Sequence, residues 1–191
     1  ATDNTVEILA GTLTGNVYGG YATTAGTPAT TGASPTTEVS ALRNNKVTLR
    51  DGVTVTGNVY GAYTAADASN MTAATDSNTI DLYKAVIDGT LYGGMAQDGA
   101  GHDVVSGKNN TLAVHARGAK VDDFVGVQNL HFYVPAGTTA ADKETMLTLD
   151  NVAGAAAGTP TTKDLSHVNV GVQLAGNRPS LKVGDAVSLM K

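Results

Sequence analysis

Residues 4–21 read NTVEILAGTLTGNVYGGY. The pattern returns three more times along the chain, at residues 45–63 (NKVTLRDGVTVTGNVYGAY), 78–95 (NTIDLYKAVIDGTLYGGM) and, more weakly, 110–126 (NTLAVHARGAKVDDFVG). Each copy starts with an asparagine, and successive starts are 41, 33 and 32 residues apart. Self-similarity at such a period predicts that each copy is one structural unit stacked on its neighbours.

Alternation of apolar and polar residues indicates a strand at the start of each copy. In the first copy, Val6 and Ile8 flank Glu7. The matching pairs in the later copies are Val47 and Leu49, Ile80 and Leu82, and Leu112 and Val114. A period of two is typical of a strand with one buried face. Two further apolar columns follow, through Leu13, Val55, Ile87 and Val121 and through Val17, Val59 and Leu91. Each copy is therefore predicted to supply about three short strands.

Three-strand units of this size bury their apolar faces only when they stack. Equivalent strands stacked in the same direction form parallel sheets, spaced by about 4.8 Å. The sequence therefore predicts an all-β protein, a right-handed parallel β-helix (β-solenoid) with irregular C-terminal strands. A β-propeller is rejected, since it needs four antiparallel strands per blade and more aromatic residues than the 5% found here.

The repeat divides the chain into two parts of one domain. Residues 1–128 are predicted to form the repeat β-solenoid, and residues 129–191 its terminal coils or a cap. The second part keeps strand-like segments but loses the Tyr-Gly-Gly core; these segments are 130–134, 146–149, 168–174 and 183–190. The spacers between the copies are predicted to be surface loops that leave the coil at one corner; they are residues 22–43, 64–77 and 96–109.

Composition and charge exclude several classes of protein. The chain has no cysteine, so it is not a disulfide scaffold. With 41% hydrophobic residues and a net charge of -5, it is not a disordered tail. No apolar run approaches the ~18 residues of a membrane helix, so no transmembrane segment is predicted in this chain. Its 17 acidic and 12 basic side chains include no Lys/Arg cluster, so nucleic acid is not an expected partner.

The repeat resembles those in the passenger regions of bacterial autotransporters, the type V secretion proteins of diderm bacteria. The segments FVGVQNLHFYVPAGTTAADKETMLTL and LKVGDAVSLM resemble the passenger segment that follows such repeats. This resemblance implies a right-handed β-helix that is exported through the outer membrane and exposed at the cell surface. It also implies a separate C-terminal translocator β-barrel in the full-length protein, of which this chain would be an excised passenger piece.

Tyrosines form the candidate ligand-binding site. They fall into two columns of the stacked copies, one of Tyr18, Tyr60 and Tyr92 and one of Tyr21 and Tyr63, continued by Met95. A surface ladder of aromatic rings is suited to stacking on sugar faces or on an apolar patch of a partner. The structural alternative is that the rings stack on each other and cover a corner of the coil.

Asparagines form two further columns, which we interpret as structural. One contains Asn4, Asn45, Asn78 and Asn110, and the other contains Asn16 and Asn58, with Thr90 in the third position. Stacked side-chain amides at turns hydrogen-bond along the axis of a coil.

No catalytic, metal or cofactor site is predicted. Glu7 and Asp81 share an outward column with Thr48 between them, which places the two carboxylates ~10 Å apart, slightly beyond the range of inverting glycosidases. No column is expected to hold acids on successive layers. The four histidines lack the spacing of a zinc site, and no cysteine is available to complete one.

We therefore expect a protein that is not an enzyme: an autotransporter passenger, cell-surface or secreted, that acts as an adhesin or stalk. The loops between Tyr21 and Asn45 and between Tyr63 and Asn78 would contact host glycans, matrix proteins or neighbouring bacterial cells. Two alternatives stay open, a β-helical polysaccharide-active enzyme and a purely structural spacer whose adhesive tip lies elsewhere.

Overall fold

The computed structural model describes residues 1–22, 42–67, 75–98, 100–152, 162–176 and 181–191. The strands in these segments are β1 Thr5–Ile8, β2 Gly11–Leu13, β3 Val17–Ala22, β4 Lys46–Leu49, β5 Val53–Val55, β6 Val59–Asp67, β7 Thr79–Leu82, β8 Val86–Tyr92, β9 Met95–Gln97, β10 Asp103–Val105, β11 Thr111–Val114, β12 Ala119–Val125, β13 Asn129–Val134, β14 Leu147–Leu149 and β15 Asn169–Leu174. No helix occurs within these segments, so the predicted all-β class is confirmed.

The first strand of every repeat joins one sheet, which we call the first sheet. Its order is β1-β4-β7-β11-β13-β15, and every pairing in it is parallel. The predicted apolar column of Val6, Val47, Ile80 and Leu112 lies in register across the first four strands, and Leu130 and Val170 continue it on β13 and β15. The weak fourth copy at residues 110–126 therefore aligns with the others, and β13 and β15 extend the same sheet.

The second and third strands of each repeat join a second sheet. The second strands pair in parallel along β2-β5-β8-β12-β14, and the third strands pair in parallel along β3-β6-β8. The longer strands β8 and β12 each span both positions. Each repeat thus contributes one strand to the first sheet and the rest to the second.

One antiparallel pair interrupts this pattern, in a segment that was predicted to be a surface loop. Strands β9 and β10 form a hairpin, which makes the second sheet mixed. The side chain of Asp98 closes its turn, because Oδ1 accepts hydrogen bonds from the backbone N–H groups of Ala100 (2.9 Å) and His102 (2.8 Å). This spacer is therefore short enough to fold back on the strand that precedes it.

The loops predicted at residues 22–43 and 64–77 fall largely on residues 23–41 and 68–74, which lie outside the described residues. Within the described part, β6 continues to Asp67, further than the repeat pattern predicts.

The inward columns of the two sheets meet in one apolar core. Val17, Val59 and Leu91 are 6%, 0% and 0% exposed, so the predicted third column is buried. Phe124 and Phe132 are the largest side chains in this core. At β15 the inward positions Val170, Val172 and Leu174 become exposed, because no strand covers the far side of β15 in the described part of the chain.

An asparagine ladder connects consecutive repeats at the corner before the first sheet. The Nδ2 group of each asparagine donates to Oδ1 of the next, at 2.8 Å (Asn4 to Asn45), 3.0 Å (Asn45 to Asn78) and 3.2 Å (Asn78 to Asn110). The backbone N–H of each asparagine donates to the same oxygen. The three inner asparagines are at most 1% exposed. The predicted structural role of this column is confirmed.

The residue before each asparagine turns the chain into the ladder. Asp3, Asn44, Ser77 and Asn109 have φ between 55° and 58°, in the left-handed region that few non-glycine residues adopt. The same geometry recurs at all four corners, which allows every asparagine to present its amide in the same direction.

Close packing beside the ladder explains the glycine after the tyrosine in the repeat core. A Cβ atom on Gly61 would lie 2.6 Å from the carbonyl oxygen of Gly93 and 2.9 Å from Cβ of Asn78. No side chain fits at that separation, so the backbone of one repeat can approach the next only if this position is glycine.

The predicted strand at residues 183–190 is not formed. A turn interrupts it, in which the N–H of Asp185 donates to the carbonyl of Lys182 (3.0 Å) and the N–H of Lys182 donates to Oδ2 of Asp185 (2.7 Å). The last residues still run beside β14, because Leu147 forms an isolated parallel bridge with Met190. The other predicted strands of the second part correspond to β13, β14 and β15.

Replacing Asn78 by alanine is expected to lower the free energy of unfolding by ~3 kcal/mol, because it leaves several buried polar groups without partners. Among these groups are the N–H and Nδ2 of Asn45 and the carbonyls of Leu42 and Thr75. Urea denaturation followed by circular dichroism measures the change. Asn4→Ala is the matched control, since Asn4 is exposed at the end of the ladder. Equal losses in the two variants would contradict a stabilising role for the buried amides.

Candidate functional site

The five predicted tyrosines lie together on the second sheet and form what we call the tyrosine cluster. The register that pairs Val17 with Val59 and Val59 with Leu91 places the following tyrosines above one another. The rings of Tyr18 and Tyr60, and of Tyr60 and Tyr92, have centroids 4.9 Å apart in nearly parallel planes. Tyr21 and Tyr63 are also stacked, at 5.6 Å. Edge contacts join the two columns, with Tyr18 and Tyr21 4.9 Å apart.

The rings of the tyrosine cluster stack on one another and cover one another. This is the structural alternative to ligand binding that the sequence analysis left open. Tyr60 is only 5% exposed, and both faces of its ring are occupied by tyrosines. Tyr21, at 49% exposed, is the most accessible ring of the five. Ligand binding by this cluster stays a prediction, and Tyr21 is the ring best placed for it.

The hydroxyl of Tyr63 joins the cluster to the β9–β10 hairpin. It donates to Oδ1 of Asp103 at 2.9 Å and accepts a hydrogen bond from Nε2 of Gln97 at 3.0 Å. Burial and the hydrogen bond to the Asp103 carboxylate raise the pKa of Tyr63 from 10.0 to about 12. Burial likewise raises the pKa of Tyr60, whose hydroxyl accepts a hydrogen bond from Asn58 at 3.1 Å. These two hydroxyls are therefore engaged within the protein.

A second row of flat side chains lies on the outward face of the first sheet, and the sequence analysis missed it. Its members are Arg50, Tyr83, His115 and Tyr133, and we call it the outer column. The Arg50 guanidinium carbon lies 4.3 Å from the centroid of the Tyr83 ring. The rings of Tyr83 and His115 stack at 4.8 Å, and those of His115 and Tyr133 at 4.5 Å. The residue types differ from copy to copy, so no repeated letter marks this row. Its members stand one position after the second apolar residue of each first strand. Extending the alignment of the copies by that one position would have revealed the row.

Asp81 holds the middle of the outer column in place. It shares the column of Glu7 and Thr48, as predicted, but its side chain is nearly buried. Lys46 Nζ lies 2.6 Å from Oδ2, and His115 Nε2 lies 3.1 Å from Oδ1. Burial alone would raise the pKa of Asp81, but hydrogen bonds from His115 and Lys46 outweigh it and lower that pKa below 3.8. This ion-paired carboxylate fixes the orientation of the His115 ring.

A cavity of about 190 Å³ lies at the end of the outer column, between β13 and β15. We call it the Tyr133 depression; it is lined by His131, Phe132, Tyr133, Gly171, Val172 and Gln173. Gly171 is needed beside it, because a Cβ atom there would lie 2.8 Å from Cδ2 of His131. Tyr133 pairs with Gln173 in the register of the sheet.

Acidic side chains occupy successive strands on the second sheet, which the sequence analysis did not expect. The carboxylates of Asp88, Asp150 and Asp123 surround Asp122, and burial together with their charge raises its pKa. The expectation that no column holds acids on successive layers is therefore wrong. The copies already place Asp88 and Asp122 directly after Ile87 and Val121, which share one predicted column, so the sequence held this signal. Asp150 follows Leu149, which pairs with Val121 but belongs to a segment without the repeat core.

Neighbouring Asp123 is buried beneath this group, at 2% exposed, and pairs with Lys163 at 2.7 Å. Within the part of the chain that the structure describes, no group of three or more His, Asp or Glu side chains is arranged to hold a metal ion.

A search of protein-family models, of curated proteins and of solved structures finds no match to this chain. A search of the described segments for a helix long and apolar enough to cross a membrane finds none either.

Replacing Asp81 by asparagine is expected to make stability less dependent on pH at the acid end. Because the pKa of Asp81 is lowered in the folded state, its stabilising contribution is present above 3.8 and is lost as the pH falls through the folded-state value. The wild type should therefore be more stable than Asp81→Asn at pH 6, and the gap should shrink at pH 3. Urea midpoints at the two pH values test this, with the exposed Asp51→Asn as control. A gap that stays constant between pH 6 and pH 3 would exclude the ion pairs as its cause.

Proposed function

We propose that the chain is part of an autotransporter passenger that folds as a right-handed parallel β-helix and acts without catalysis. In this proposal it is a stalk or adhesin exposed on the surface of a diderm bacterium. The observation that supports it most directly is the in-register parallel stacking of every repeat in the first sheet, joined by the asparagine ladder.

A stacked architecture suits a rigid support. Each layer contacts only its neighbours, so the length of such a rod grows with the number of repeats and its stability adds layer by layer. Such a chain can also fold from one end as it emerges from a secretion pore. It needs no disulfide for this, which agrees with the absence of cysteine.

The two long insertions return to the ladder at one place, which suits them to presentation. Nδ2 of Asn78 donates to the carbonyl of Leu42 at 3.1 Å and to that of Thr75 at 2.8 Å. Leu42 and Thr75 are the first described residues after the two insertions, so both insertions rejoin the stack at the same corner. Segments attached in this way can change in sequence without disturbing the stacked strands. We assign to them the contacts with host glycans, matrix proteins or neighbouring cells.

The state of Glu7 and Asp81, the two carboxylates considered as a catalytic pair, favours this proposal over a polysaccharide-active enzyme. Glu7 is paired with Arg50 at 2.7 Å, and Asp81 is paired with Lys46 and His115. Both side chains are thus engaged in ion pairs on the face where a pair of catalytic acids was considered. The alternative of a structural spacer without binding activity stays open, and an adhesion experiment distinguishes it from an adhesin.

Deleting residues 23–41 from the purified chain is expected to abolish its adhesion to host cells and to immobilised matrix proteins. A short Gly/Ser link replaces the deleted residues, and circular dichroism verifies that the stacked strands still form. Deletion of residues 153–161, a Gly- and Ala-rich segment outside the predicted loops, is the control and should leave adhesion intact. Adhesion that survives the first deletion would remove this insertion from the mechanism, and a wild-type chain that adheres to nothing would be a spacer.

A further inference from the structure

The outer column ends at Tyr133, although the first sheet does not. Arg50, Tyr83 and His115 directly follow β4, β7 and β11, Tyr133 lies in β13, and the four groups stack face to face at 4.3–4.8 Å. On the next strand, β15, the position paired with Tyr133 is Gln173. The stack of flat groups therefore lacks its next member, and the Tyr133 depression lies where that member would be.

The depression borders the face of Tyr133 that the column leaves uncovered. All six of its lining residues belong to β13 and β15. His115 directly follows β11, on the opposite side of β13, and covers the other face of the Tyr133 ring. One face of the Tyr133 ring is thus covered by His115, and the other face borders the depression.

Two polar side chains flank that face. The His131 ring stands nearly perpendicular to Tyr133, at 76°, with centroids 6.5 Å apart. The His131 ring packs closely over Gly171, which keeps the ring at the edge of the cavity, and the exposed Gln173 supplies an amide with both a donor and an acceptor. The cavity thus combines one apolar plane with hydrogen-bonding groups at its edge.

We propose that the Tyr133 depression binds one uncharged pyranose ring of a glycan, stacked on Tyr133 and hydrogen-bonded by His131 and Gln173. A pyranose presents a C–H face that packs on an aromatic ring and hydroxyl groups around its rim, which matches this lining. The six lining residues include no Lys, Arg, Asp or Glu, so nothing in the lining selects a phosphate or a carboxylate.

The size of the cavity agrees with a single sugar ring. At about 190 Å³ it is smaller than the roughly 300–1,000 Å³ of pockets that enclose drug-sized ligands. Three of its lining residues, His131, Tyr133 and Gln173, are at outward positions of the first sheet, so the rest of a glycan chain can extend into solvent. The lining residues belong to β13 and β15 and not to the insertions, so this proposal does not rest on the one for adhesion.

The test measures binding of neutral oligosaccharides to the purified chain, first on a printed glycan array and then by calorimetry with the ligands found. Tyr133→Ala is expected to weaken binding about tenfold or more, since it removes the stacking plane. Tyr133→Phe keeps the plane and should retain affinity. Gln173→Ala alters only an exposed side chain and should also weaken binding. Leu9→Ala is the matched control, because Leu9 is an exposed residue on the same face, at the opposite end of the first sheet.

Several results would overturn the site. It fails if no neutral oligosaccharide binds the wild-type chain, if only charged glycans bind, or if Tyr133→Ala and Gln173→Ala bind as the wild type does. Binding of a tyrosine-containing peptide with no response to sugars would assign the depression to a protein partner instead. The variant lacking residues 23–41 separates the two proposals, because it should lose cell adhesion while it keeps oligosaccharide binding. Loss of both activities in that deletion would place the sugar contact in the insertion and overturn the Tyr133 site.

Discussion

Hydrogen bonding between buried asparagine amides is the constraint on which the rest of this structure depends. Each Oδ1 accepts hydrogen bonds from the backbone N–H and the Nδ2 of the asparagine in the preceding repeat. A slip of one residue would move these amides out of reach and turn the apolar column of the first sheet toward solvent. A buried amide without a hydrogen-bond partner lowers the stability of the fold, so the ladder disfavours such a slip. The apolar core disfavours the same slip, so both select one register.

That register also determines which outward side chains meet. Where the copies share their residues, tyrosine lies over tyrosine and the rings stack at 4.9 Å. Where the copies differ, stacking persists only because the substituted groups are flat, as with Arg50, Tyr83 and His115. Each such contact contributes roughly 0.5–1.5 kcal/mol, so the surface of the stack adds to its stability as well as its core.

The departures from the repeat lie toward the C-terminal side, and they share a cause. Gln128 takes the place of the next asparagine and accepts only the backbone N–H of Asn110, so Nδ2 of Asn110 has no partner among the described residues. Beyond that point Gly171 and Gln173 on β15 pair with the ring residues His131 and Tyr133 of β13. The residues of the repeat are thus no longer present at β13 and β15. Their loss ends the ladder and opens the Tyr133 depression.

The sequence by itself determined the repeat boundaries, the in-register parallel strands, the asparagine ladder and the meeting of the five tyrosines, because these follow from local periodicity and from identical residues recurring at matched positions. Only the tertiary structure decided the β9–β10 hairpin, the turn at residues 182–185, the place of Asp150 beside Asp122 and the outer column. The hairpin and the turn depend on side chains that close a turn and pair backbone segments that the repeat does not align. The outer column joins unlike side chains from separate repeats, whose proximity follows from sheet register and leaves no repeated letter in the sequence. The acidic group is different, because Asp88 and Asp122 directly follow matched residues of two copies and only Asp150 lies outside the repeat.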